Sequence, residues 1–128
     1  MIQLLRNMEY RHTCANSMIF EELDDINEVI FIQKGIVDIG YQMNKSTKYV
    51  VRYENKTLIG GYNCTFNMRI IFCYKARSDC EGSSIRKHKW MHILEEFPEL
   101  GDLVKRNVEI DYFKNIKNKV MAVKERHL

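Results

Sequence analysis

Several features are missing from this sequence, and each absence removes a class of protein. No run of 18 apolar residues occurs anywhere in the 128 residues, so no segment has the make-up of a membrane-spanning helix. The opening Met1-Ile2-Gln3-Leu4-Leu5-Arg6 lacks the layout of a secretory leader,. Four cysteines, at 14, 64, 73 and 80, form no C-x-x-C pair. Reduced thiols in a cytoplasmic setting are therefore the expectation. On that reading the sequons at Asn44, Asn55 and Asn63 are chance, because glycosylation needs the secretory lumen. Asp24-Asp25 lacks the spacing and glycine of a calcium loop,. His88 and His92 stand four apart but have no third ligand and no intervening glutamate; solvated histidines are expected rather than a metal site. Nothing in the sequence activates Cys14 as a nucleophile,.

Charge is nearly balanced. The net of +3 arises after Ile85, where Lys114, Lys117, Lys119, Lys124 and Arg126 lie. That pattern suits the solvated face of a helix better than a nucleic-acid surface. Length and apolar content fit one domain, 1–128, with its own core,.

The chain begins with apolar residues suited to a short helix over 1–8, then a polar, irregular stretch over 10–16. Met18-Ile19-Phe20 reads as a short strand. Glu28-Val29-Ile30-Phe31-Ile32-Gln33-Lys34 is a β-branched strand stopped by Gly35,. Val37, Ile39, Tyr41 and Met43 alternate with polar or small residues, which predicts a strand with one buried face. Tyr49, Val51 and Tyr53 repeat the pattern after the turn Asn44-Lys45-Ser46-Thr47, making a hairpin,. A loop over 54–57 follows, then a strand over 70–76, a polar loop over 77–82 and a last short strand over 83–86.

The period then changes. Trp90, Ile93, Leu94 and Phe97 mark an amphipathic helix, and Pro98 is placed to start another,. Leu100, Val104, Val108, Tyr112, Ile116 and Val120 recur every four residues, with Leu103, Phe113 and Val123 widening the stripe. Trp90 and the Tyr112 stripe are expected to pack the helices on the strands. A run of strands followed by two helices predicts an α+β or β-roll domain.

Between Leu58 and Ala76 lies the stretch with most chemical content. Gly60-Gly61 lets the backbone bend and approach a ligand. The turn after it can present N–H groups to an anion, and Arg69 can supply a forked positive charge. A phosphate cradle is one reading; a plain turn with a solvated arginine is the other.

Four pieces in order carry a resemblance to the cyclic-nucleotide-binding domains. Glu28–Val37 is similar to that family's strand, glycine and strand. Leu58-Ile59-Gly60-Gly61 falls where the family has Phe-Gly-Glu. Residues 69–76 fall at its arginine and the strand ending in Ala. Residues 85–100 resemble its B-helix and the Phe-Pro step into the C-helix. Val37-Asp38-Ile39-Gly40-Tyr41, Phe66-Asn67-Met68-Arg69 and Ile85-Arg86-Lys87 look most like the C-terminal domains of potassium and cyclic-nucleotide-gated channels of the ciliate type.

The resemblance implies an α+β fold: an eight-stranded, jelly-roll-like β-roll over about 9–86, a short N-terminal helix, and two C-terminal helices over about 87–124. It implies a regulatory module rather than an enzyme, without a cofactor, taking cAMP or cGMP as ligand. The cassette would comprise Gly60, Gly61, Tyr62, Asn63, Cys64, Asn67, Arg69 and Ile70. The C-terminal helix would dock over the roll and bias a cation channel, with its distal part near Val120 and Met121 capping a purine or a neighbouring subunit. Partners would be the rest of a channel at the cytoplasmic face, without nucleic acid and without membrane insertion of this chain.

The sequence departs from the family within the cassette. Gly61 replaces the ribose-binding glutamate, Met68-Arg69 stands for Pro-Arg with the arginine one position early, and Asn63-Cys64 stands for Ala-Leu. A missing charged hydrogen bond costs roughly 1.5–3 kcal/mol. The alternative is therefore a degenerate, ligand-independent interaction domain of the same fold.

Overall fold

The computed structural model describes residues 6–126. Its strands are β1 (Glu9–Thr13), β2 (Met18–Phe20), β3 (Glu28–Lys34), β4 (Ile36–Met43), β5 (Ser46–Glu54), β6 (Thr57–Ile59), β7 (Cys73–Ala76) and β8 (Cys80–Arg86). They form two antiparallel sheets, ordered β1-β8-β3-β6 and β2-β7-β4-β5. Helix α1 (Gly61–Phe66) interrupts the strands. After them come α2 (Lys87–Glu96), α3 (Pro98–Asp111), a π-helical segment (Tyr112–Lys117) and α4 (Asn118–Arg126). The architecture is the expected α+β β-roll with C-terminal helices. The helix expected over 1–8 falls mostly outside the described residues. No helix among those described is long and apolar enough to cross a membrane.

Two of the chain's crossings between the sheets meet at one corner. Gly35 (φ 122°) separates β3 from β4, and Asn55 and Lys56 (φ 57° and 35°) separate β5 from β6. The two turns are bonded together: Asn55 N–H donates to Gly35 O at 2.9 Å and Gly35 N–H to Asn55 Oδ1 at 3.1 Å. A Cβ on Gly35 would lie 2.6 Å from Cys80 Sγ, so both the left-handed backbone and the space require glycine. At the β4–β5 hairpin, Asn44 and Lys45 are both left-handed (φ 50° and 67°). This two-residue turn suits strand twist, and it is shorter than the four-residue turn expected from sequence.

Three boundaries differ from the sequence expectation. The polar stretch expected to be irregular contains β1, an edge strand that pairs only with β8 and places Arg11 2.9 Å from Glu28. An edge strand needs no apolar face. Strand β8 starts three residues early and lies between β1 and β3, its pairing overriding weak local propensity. Residues 70–72 are not strand. Ile70 instead exchanges backbone bonds with Leu23 and Asp24, at 2.7 and 3.2 Å.

The core between the sheets holds Val29, Ile30, Val37, Ile39, Tyr41, Tyr74 and Ile85, with Trp90, Ile93 and Leu94 closing one end. The even alternation of β4 does not leave a solvated outer face. Asp38 is 2% exposed. Its carboxylate takes a forked pair from Arg52 at 2.8 and 3.1 Å and a third contact from Arg77 at 3.0 Å. The outer face of this sheet is thus fixed by one buried anion under two partly exposed cations. The Arg52 hydrogen bond, reinforced by the charges of Arg52 and Arg77, outweighs burial and holds the Asp38 carboxyl below its ordinary value of 3.8,.

Asp38→Ala is expected to destabilise the fold by about 1.5–3 kcal/mol, the range for hydrogen bonds to charged groups. A group with a depressed pKa stabilises fully above its unfolded value and loses that contribution as pH falls through the folded one. The gap between wild type and variant in urea unfolding should therefore be full at neutral pH and shrink below the ordinary value of 3.8.

Candidate functional site

A cleft of about 320 Å³ lies between the β6–α1 connection and the C-terminal helix. Gly60 ends β6 in a left-handed conformation (φ 80°) and turns the chain into α1. Gly60, Gly61, Tyr62 and Asn63 line the near wall. Asn107, Val108, Asp111, Tyr112 and Ile116 line the far wall, with Lys56 at one edge. Helix α1 has six residues and no acidic or capping side chain. It is held at its far end by Asn63, whose Nδ2–H donates to Arg69 O at 3.0 Å, and by Asn67, left-handed at φ 54°. Asn67 Oδ1 accepts from Lys87 Nζ. Thr65 Oγ1 accepts a buried bond from Trp90 Nε1–H at 2.9 Å. The cassette helix is thereby tied to α2 at two points.

The helix that closes the cleft is tied to α1 by aromatic rings. Tyr62 and Tyr112 stack face to face, with centroids 4.0 Å apart and planes 2° from parallel. Phe113 meets Tyr62 edge-on at 5.6 Å, Phe66 packs on Tyr62 at 5.1 Å, and Phe72 packs on Tyr112 at 6.3 Å. Burial raises the Tyr112 phenol well above its ordinary value,. Gly61 lies beneath this contact. A Cβ there would stand 3.0 Å from Leu58 Cδ2 and 3.3 Å from Val108 Cγ1. Helix α3 therefore packs down onto the position where the resemblance puts a glutamate.

Of the eight cassette residues, four line the cleft and four do not. Gly60, Gly61, Tyr62 and Asn63 line the cleft. Cys64 and Ile70 are buried in the core. Burial pushes the Cys64 thiol up to about 12. Asn67 caps α1. Arg69 is 67% exposed, with Nε 3.2 Å from Asp25 Oδ1, and is not among the cleft's lining residues. The charged residues that do line it are Lys56 and Asp111. No local sequence pattern announces either, because both reach the cleft only through the fold. Among the described residues no group of three His, Cys, Asp or Glu could hold a metal.

No protein-family model matches the chain, and no curated protein sequence does. Its fold has clear likenesses among solved structures. A putative cyclic-nucleotide-binding protein from Geobacter metallireducens aligns at TM-score 0.71 and 17% identity, over 87% of this chain and 80% of that one. The C-linker and CNBHD of zELK channels, crystallised in the presence of cAMP, align at 0.71 and 16%, over 85% and 55%. The regulatory domain of Toxoplasma gondii PKA with cAMP aligns at 0.63 and 14%, over 70% and 35%. The chain thus spans about a third of the Toxoplasma chain and about half of the channel chain. The chain shares the β-roll fold of these structures.

Tyr62→Ala should cost about 1–3 kcal/mol, combining lost burial with a lost ring pair. It should speed amide exchange across 112–126 while leaving the strands protected. Thr65→Val, which orphans the Trp90 N–H, should lower stability by about 1–3 kcal/mol without that regional effect.

Proposed function

We propose that this chain is a regulatory module in which docking of the C-terminal helix over the β-roll is the controlled event. On this reading the docked state is held by the chain's own side chains rather than by a cyclic nucleotide. The observation that carries it is the Tyr62–Tyr112 stack at 4.0 Å, which closes the helix onto the cassette directly. Three features agree. Gly61 has no side chain to meet a ribose, and a Cβ there would press on Leu58 and Val108. Arg69 turns outward to Asp25. Asp111 lines the cleft together with Lys56, so the lining does not concentrate the positive charge that a phosphate site needs.

The likeness to a channel CNBHD, together with the channel-like segments around Asp38, Arg69 and Arg86, supports a cation channel, of the potassium type, as the protein controlled. The module would then work at the cytoplasmic face, coupled to the channel or to neighbouring subunits. A second reading, direct sensing of cAMP or cGMP, is favoured by the open cleft beside Gly60–Asn63. The Arg69–Asp25 pair is exposed, and exposed pairs exchange partners at small cost.

Calorimetric titration of the chain with cAMP and with cGMP decides between them. The expected result is no saturable heat and no change in melting temperature at millimolar ligand. Micromolar binding would overturn self-sufficient docking. In that case Arg69→Ala should abolish binding if Arg69 swings in to the phosphate, and leave it unchanged if the phosphate sits elsewhere.

A further inference from the structure

The closing helix contains a turn that an ordinary α-helix would not need, and its position is informative. Val108, Tyr112, Ile116 and Val120 are all buried, though they stand four apart. An α-helix advances about 100° per residue, so each step of four overshoots a full turn by about 40°. Over the three steps the stripe would drift about 120° and leave the β-roll. The segment Tyr112–Lys117 absorbs this drift by winding as a π-helix. Asn118 N–H donates to Phe113 O, five residues back. The wide turn amounts to one extra residue, or about 100°. It lies where Tyr112 and Ile116 line the cleft.

We infer that this π segment is the release element of the helix, a conclusion that rests on helix docking being the controlled event. The segment is held in π form by what docks on each side of it. Upstream, Tyr112 stacks on Tyr62. Downstream, Val120 is fully buried and α4 packs along β4 and β5. When either hold is lost, the segment relaxes to the more stable α form. The distal helix then turns by about 100° relative to α3, carrying Val120 off the sheet. Docking and undocking become a rotation of α4 about a fixed α3. The strain of one wide turn keeps the two states close enough in free energy for a partner to shift them.

Two variants of the full chain test this. Deleting Lys114, an exposed residue of the wide turn, removes the extra residue and leaves the buried stripe at spacings of four, three and four, which an unstrained α-helix satisfies. Amide exchange over 115–126 should slow by on the order of tenfold, the scale set by relieving one locally strained turn. Unchanged or faster exchange with intact strands would overturn the inference. The second variant, Tyr62→Ala, keeps the full length and releases the upstream hold. Hydrogen-bond couplings read by NMR should then show the Asn118 amide moving from the Phe113 carbonyl to that of Lys114. If the Asn118 amide stays on Phe113, the wide turn is intrinsic and the inference fails, whether or not the deletion variant folds. These readouts are separate from the nucleotide titration, so tight cAMP binding would refute self-sufficient docking without touching the release element.

Discussion

Everything at the candidate site depends on a long helix keeping one apolar stripe against a curved β-roll. Val104 is half-buried against the core, and Val108 is the first buried side chain of the stripe. Leu100, expected in it from its spacing, and Leu103, expected to widen it, are each 47% exposed; Leu100 lies two steps of four, about 80° of drift, before Val108, and Leu103 stands about 140° round the helix from it. From Val108 onward the helix meets the cassette and then the sheet, and contact on both surfaces requires it to rewind. The ring stack, the crowding at Gly61 and the cleft all follow from that path.

Electrostatics has a different role on the two faces of the molecule. On the outer face of the β2-β7-β4-β5 sheet, one buried carboxylate gathers two arginines and fixes three strands. At the cassette the charges are dispersed instead. Arg69 is neutralised on the outside by Asp25, while Lys56 and Asp111 line the cleft. A site for an anion concentrates positive charge and backbone donors where the anion sits. Here the concentrated interactions are aromatic and apolar, which favours a fold that closes on itself.

The central hairpin and the helical end were legible because their signals are local. Period-two alternation marks β4 and β5, Gly35 marks the corner, and Pro98 marks the start of α3. Polar strands were not legible. Strand β1 and the first half of β8 are strands because their neighbours bond them, and nothing in Glu9–Thr13 demands it. Asp38 was misjudged because an aspartate in an alternating strand normally faces water; its burial depends on Arg52 and Arg77, one in the next strand and one just beyond β7. The cleft's far wall was half legible. The four-residue spacing from Val108 to Val120 already implied either drift or a widened turn, but its meeting with Tyr62 is a property of the fold.

Lifting the closing helix would uncover more than a binding site. Tyr112, Ile116 and Val120 would meet water together with the wall they cover, around Tyr62 and Tyr41. Bare apolar surface of that kind is unfavourable in water and adhesive toward other proteins. The lifted form is therefore a poor resting state. On the proposed reading, a helix leaving this roll would need another apolar surface to receive it, so the module would act as one half of an exchange whose open state has meaning only beside its acceptor.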